Sequence, residues 1–99
     1  MSMITCVIRS FGDKESEKIF RLIPSRKIPR EIHERSYHKL VAIHEAESLD
    51  NLRNPPGNRL EPLRGALEGL HSIRINNQWR IVFRWEGKDA YEVKITDYH

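Results

Sequence analysis

Leu70-His71-Ser72-Ile73-Arg74-Ile75-Asn76-Asn77-Gln78-Trp79-Arg80-Ile81-Val82-Phe83-Arg84-Trp85, then Glu86-Gly87-Lys88-Asp89 and the run from Ala90 to Tyr98, is the most strongly patterned part of the chain. Large apolar residues fall at odd positions: Ile73 and Ile75, then Trp79, Ile81, Phe83 and Trp85, then Tyr91, Val93 and Ile95. Even positions carry Ser72, Arg74, Arg80, Arg84, Glu92 and Lys94. A period of two marks strands buried on one side, so the stretch predicts three consecutive antiparallel strands with a core face and a wet, basic face. The same pattern selects the register. A two-residue turn at Asn76-Asn77 would set Ile73 against Arg80 and mix core with solvent. A three-residue loop over Asn76, Asn77 and Gln78, with an Asn in the left-handed conformation, instead pairs Ile75 with Trp79 and Ile73 with Ile81. A loop at Gly87-Lys88-Asp89 likewise pairs Trp85 with Tyr91, Phe83 with Val93, and Arg84 with Glu92, an opposite-charge pair. Arg74 and Arg80 are then left side by side, and like charges directly opposite cost stability. Either solvent or a carboxylate such as Glu61 or Asp97 relieves them, or the two guanidinium groups are arranged for a phosphate.

Working outward, 99 residues make one domain with a modest core, and 38% apolar against 31% charged residues fits a soluble globular protein. The net charge is only +3, but eleven arginines stand against six lysines. Arginine suits planar, two-pronged phosphate recognition. With a pI near 9.2, the balance leans toward nucleic acid or an acidic protein partner. A single Cys6 excludes an internal disulfide and fits a buried thiol in a reducing compartment. No apolar run is long enough for a membrane span or a signal peptide, which makes the cytoplasm the expected location.

Residues 4–9 read as a first strand ended by Phe11-Gly12-Asp13. Asp13 is an N-cap for a helix from Lys14 to about Leu22, with Glu15 and Glu17 in its first turn and Ile19, Phe20 and Ile23 facing the core. Pro29 opens a second helix to about Glu47, with Ile32, Leu40 and Ile43 as its stripe and Ser36 in the gap. Ser48 caps a short turn bearing Leu49 and Leu52. Arg53-Asn54-Pro55-Pro56-Gly57-Asn58 is neither helix nor central strand, and Pro62 confines the short strand over residues 59–64 to an edge or an end. The expected architecture is α+β: a small antiparallel sheet of the three C-terminal strands, the short strand and the N-terminal strand, with two N-terminal helices on one face.

Asn51-Leu52-Arg53, Pro55-Pro56-Gly57-Asn58-Arg59-Leu60-Glu61, Leu63-Arg64-Gly65, residues 72–81 and the final Asp97-Tyr98-His99 together resemble the HigB-type plasmid-maintenance killer proteins of the RelE/ParE toxin superfamily. Ile8-Arg9-Ser10-Phe11-Gly12-Asp13-Lys14-Glu15 is similar to the usual opening of such a chain. The resemblance implies a toxin paired with a HigA-type helix-turn-helix antitoxin, which represses the shared operon so that operator DNA is reached only through it. It also implies a ribosome-dependent endoribonuclease that cuts messenger RNA in the decoding site, with no cofactor and no membrane association.

Metal-independent RNA cleavage needs a base for the 2′-hydroxyl, a cation for the charge built up at phosphorus, and an acid for the leaving 5′-oxygen. Arg80, mid-strand on the wet face, is the first candidate for the cation, and by resemblance it matches the arginine taken to hold the scissile phosphate. Arg64 follows the same logic as a second catalytic cation, at a position where relatives in the family that the chain resembles carry Lys or Arg. Glu61 either acts as base or orients Arg64; some relatives carry His there, and an ordinary carboxylate is a weak base at neutral pH. Tyr98 can stack a base or donate its hydroxyl, and the titration range of His99 suits acid–base work. Arg59, Arg74, Arg84 and Lys94 are further RNA-binding candidates. His33, His38 and His44 do not share a helix face and read as surface residues, while His71 reads as a satisfied structural histidine. Trp79 and Trp85 read as core. No Cys/His cluster suggests a metal. Two alternatives use the same fold: a ParE-like toxin acting on DNA gyrase by binding alone, and an inactive co-repressor module.

Overall fold

The computed structural model describes residues 7–65 and 68–97, and in it the patterned stretch forms most of a four-stranded antiparallel sheet. The strands lie in sequence order: β1 (Glu61–Pro62), β2 (Leu70–Arg74), β3 (Trp79–Glu86) and β4 (Asp89–Asp97). The first hairpin has the expected register, with Ile73 opposite Ile81 and Arg74 opposite Arg80. Its turn is held differently from expectation. No residue from Asn76 to Gln78 has a positive φ. Instead the Asn76 Oδ1 accepts from the N–H groups of Gln78 and Trp79, each at 2.8 Å, so a side chain closes the turn.

The second hairpin departs from expectation. Its loop is the two residues Gly87 and Lys88, so that Glu86 faces Asp89, Trp85 faces Ala90 and Arg84 faces Tyr91. Gly87 supplies the positive φ (65°) such a tight turn requires. The expected register returns further along, with Ile81 opposite Ile95, because β4 carries an extra residue between Tyr91 and Lys94. Glu92, at φ 56°, absorbs it as a bulge. Tyr91 therefore shares the basic face with Arg84, whose guanidinium lies 5.7 Å from its ring, and Ala90 takes the core position. The bulge also limits the N-terminal segment. Rather than a full fifth strand, its described part makes two parallel bridges to β4, Ile8 to Ala90 and Phe11 to Val93, on either side of Glu92.

Two helices cover the other face, α1 (Lys14–Phe20) and α2 (His33–Glu45), and both touch β4. The Asp13 side chain accepts from the Ser16 N–H at 2.8 Å, the N-cap the sequence indicates. The buried Ser16 Oγ in turn accepts from the Ile95 N–H at 2.8 Å and ties α1 to the sheet. A 3-10 turn at Arg30–Ile32 precedes α2, so regular helix starts later than Pro29 and stops at Glu45. Ile32, Ser36, Leu40 and Ile43 are all buried, as their spacing predicts. Between the layers lie Leu40, Ile43, Ile73, Ile81, Phe83 and Val93, none with exposed surface. Each such large side chain contributes about 1.5–3 kcal/mol. Trp79 and Trp85 are partly buried against this core.

The end of α1 corrects another expectation. Ile23 is 47% exposed rather than buried, and Leu22 is 70% exposed. The Ile23 N–H bonds to the Lys18 carbonyl (2.7 Å) and the Leu22 N–H to that of Ile19 (3.0 Å), a Schellman cap that forces Leu22 to φ 63°. A leucine there is strained by about 1 kcal/mol or more. Leu22→Gly is therefore expected to raise the urea midpoint, with a gain of about 1 kcal/mol. A lower midpoint would mean that Leu22 makes a contact worth more than the strain.

Candidate active site

The site is built around Arg80, and Arg80 is built around a loop. Between α2 and β1 the chain makes two 3-10 turns, Leu49–Arg53 and Pro56–Asn58, so the proline-rich stretch is turned rather than structureless. Asn58 pins this loop from inside. It has no exposed surface; its Nδ2 donates to the carbonyls of Leu52 and Asn54, both at 3.1 Å, and its Oδ1 accepts from Lys39 Nζ on α2. The next residue, Arg59, takes the left-handed conformation (φ 47°). Its carbonyl accepts from Arg80 Nη2 at 2.7 Å. Arg80 Nε donates to Ser72 Oγ at 2.8 Å, and Glu61 Oε1 lies 3.7 Å from Nη2. Only 11% of the Arg80 side chain is exposed, so its guanidinium is held on several sides before any ligand arrives.

Directly across the sheet, Arg74 donates through Nη2 to Asn77 Oδ1. The two arginines thus sit on adjacent strands of one face, Arg74 reaching toward the hairpin turn and Arg80 toward Ser72, Glu61 and the Arg59 carbonyl. Glu61, opposite Ser72 on β1, pairs with Arg80 and makes no ion pair with Arg64; of the two guanidinium groups considered for it, Arg80 is the one it orients. Thr96 lies opposite Arg80 and Asp97 opposite Trp79, with Gln78 Nε2 donating to Asp97 Oδ2 at 3.1 Å. Tyr98 and His99 lie outside the described residues.

The remaining candidates are dispersed. Arg64 is exposed beyond β1, at a shallow pocket of about 400 Å³ shared with Glu68 and His71. Arg84 faces Glu86 at 3.0 Å and Glu92 at 3.2 Å, so two carboxylates offset its charge. Lys94 is exposed, its stem packed where Gly12 leaves room: a Cβ at Gly12 would lie 3.0 Å from the Lys94 Cβ. Arg59 reaches the site through its backbone. Sequence reasoning missed Asn58 and Ser72 as organising residues, because both act through buried bonds to residues remote in the chain. Among the described residues, no group of three His, Cys, Asp or Glu side chains is placed to hold a metal ion, and no helix is long and apolar enough to cross a membrane.

Two helix histidines are not plain surface residues. His33 Nε2 meets the Ile28 carbonyl at 2.7 Å, and His44 Nδ1 accepts from the Ile8 N–H at 3.4 Å. His71 stacks on Phe83 (centroids 6.3 Å apart), and its buried Nδ1 has no partner, contrary to the satisfied histidine expected. Burial, and secondarily the Arg53 charge, push its pKa below the ordinary 6.5. The unfolded chain then binds more protons than the folded one in the interval between the two values. Stability from a neutral His71 is complete above about pH 6.5 and is lost as pH falls through the lower folded value. Urea midpoints at about pH 7.5 and pH 5 should therefore fall less for His71→Phe than for the parent; an equal fall would acquit His71.

The fold defines a class. It is shared with YafQ from E. coli strain BL21(DE3), at a TM-score of 0.58 and 13% identity over 94% of this chain and 93% of that one. It is shared also with the YoeB/ParE toxin from Agrobacterium tumefaciens, at a TM-score of 0.53 and 18% identity over 93% and 96%. Sequence narrows the class. The chain is 44% identical over 71 residues to Toxin HigB-1 of Vibrio cholerae serotype O1, covering 72% of this chain and 70% of that protein. It is 33% identical over 93 residues to Endoribonuclease HigB of Proteus vulgaris, covering 94% and 100%. Residues 9–99 match the family described as the RelE-like toxin of the type II toxin-antitoxin system HigB. The chain belongs to this HigB-like toxin family, and membership implies an antitoxin partner.

Proposed function

We propose that the protein is a ribosome-dependent endoribonuclease that cuts messenger RNA during translation by metal-independent acid–base catalysis. We place it in the cytoplasm, restrained by a HigA-type helix-turn-helix antitoxin through which alone it meets operator DNA. The observation that carries the reading is the Arg74–Arg80 pair, two arginines opposite one another in register on one sheet face, with Arg80 held by Ser72, the Arg59 carbonyl and Glu61 and Arg74 by Asn77. Such a pair suits a phosphate whose charge grows in the transition state.

In this reading the substrate's 2′-oxygen loses its proton to a base and bonds to phosphorus. The bond to the 5′-oxygen breaks, and that oxygen takes a proton from an acid, leaving a 2′,3′-cyclic phosphate and a free 5′-hydroxyl. Arg80 and Arg74 bind the non-bridging oxygens and stabilise the added negative charge. Glu61, Tyr98 and His99 divide the proton transfers, Glu61 also orienting Arg80, and Tyr98 offers its ring to a base. Arg64, Arg59, Arg84 and Lys94 contact flanking phosphates, Arg84 least because two carboxylates face it. The Proteus vulgaris relative's name, Endoribonuclease HigB, supports the activity.

The test is to map message 5′ ends after brief induction and in a purified translation mixture. New ends within translated regions that vanish when ribosomes are omitted support the reading. Intact messages with accumulating double-strand DNA breaks would overturn it in favour of gyrase. Equal cutting of free RNA would overturn the ribosome requirement.

A further inference from the structure

Beyond Arg74 the basic face does not end. A groove of about 560 Å³ runs around the end of the sheet from Arg74 to α2, where Arg35 and Lys39 line it opposite Gly57, Asn76 and Asn77. Its wall carries three cations and, among the described residues, no carboxylate. Arg35 Nη1 donates to the Ile75 carbonyl at 3.3 Å, which fixes the guanidinium at the groove's edge. Lys39 gives one donor to Asn58 and keeps two. Burial, then the Arg35 charge, push the Lys39 pKa below the usual lysine range. Like charges gathered in this way repel one another in the empty protein, and an anion that entered would relieve the repulsion.

We infer that this groove binds a phosphate of the RNA strand flanking the one held by Arg74 and Arg80, carrying the strand from the sheet face onto α2. Arg74 is common to both places, so a strand gripped at the Arg74–Arg80 pair meets the groove next. The anchored guanidinium forks suit phosphate oxygens, and the Asn76 and Asn77 amides suit sugar and phosphate oxygens. This inference rests on the nuclease reading above and extends it to substrate positioning. None of Arg35, Lys39 or Gly57 is asked to do chemistry.

Gly57 allows a test that leaves the groove's own side chains in place. A Cβ built there meets nothing within 4 Å, and its φ is not in the left-handed region, so Gly57→Glu puts a carboxylate among the cations without a steric conflict, and Gly57→Gln is its neutral control. Binding of a fluorescein-labelled single-stranded RNA dodecamer is followed by anisotropy across a salt series, with Arg35→Gln as an independent second variant. Gly57→Glu and Arg35→Gln should each weaken binding about fivefold at about 0.1 M salt and flatten the log–log salt slope by about 0.7, one phosphate's share on a single strand. Gly57→Gln should match the parent. Parent-like affinity and slope in both charge variants would overturn the groove while leaving the nuclease reading standing. No RNA binding by the parent at any salt would likewise overturn the groove, and the nuclease reading would then stand or fall on the mapped message ends alone. Unchanged RNA binding with weakened capture of the antitoxin would reassign the groove to an acidic protein segment.

Discussion

Arg80→Ala is expected to lower message cleavage by about 10²–10³-fold, the loss seen when one preorganised charge-stabilising donor is deleted. The size follows from how Arg80 is held. Ser72 Oγ, the Arg59 carbonyl and Glu61 fix its guanidinium, and little of the side chain is exposed. Little reorganisation is then needed when charge builds at phosphorus. Arg80→Lys keeps the charge but not the fork, so it should recover only a small part of the activity. Both variants lose bonds to the loop and will melt lower. Cleavage is therefore compared well below either melting point, per mole of protein with native near-ultraviolet dichroism. A folded Arg80→Ala protein that cuts within about fivefold of the parent would remove Arg80 from the chemistry.

The second large effect concerns a residue that never meets substrate. Asn58→Ala deletes the three hydrogen bonds of a side chain with no exposed surface and strands the buried Leu52 carbonyl, while the Asn54 carbonyl and the Lys39 ammonium lose a partner closer to solvent. The expected cost is about 3 kcal/mol, each unsatisfied buried group being worth about 1–3. For a chain of this size that lowers Tm by roughly 10–20 °C. Activity should fall as well, at temperatures where the variant is folded, because the Arg59 carbonyl that orients Arg80 hangs on the same loop. Asn58→Asp keeps the acceptor for Lys39 but turns a second oxygen toward two carbonyls. It should be nearly as unstable. A melting temperature within a few degrees of the parent for either variant would show that Asn58 does not hold the loop.

The alternation from Ile73 to Ile81 was enough, without coordinates, to specify the first hairpin, its core face and the Arg74–Arg80 juxtaposition, because a period of two leaves only one register there that keeps apolar residues together. The α2 stripe and the Asp13 cap were equally plain, since both depend on neighbours within a turn or two. The bulge at Glu92 was not: Gly87-Lys88 and Gly87-Lys88-Asp89 are both acceptable turns, and the choice rests on how the Ser10 region seats against β4, where Ser10 Oγ accepts from the Glu92 N–H at 2.9 Å. Local sequence likewise marked Pro55 to Asn58 only as a break. That Asn58 reaches back to Lys39, and that Arg59 then turns its carbonyl to Arg80 twenty-one residues later, depends on long-range packing, which no spacing rule within one element encodes. The family, the fold and the paired arginines are thus written in the residues themselves, whereas the orientation of Arg80 and the groove between Arg74 and α2 exist only once distant segments close on one another.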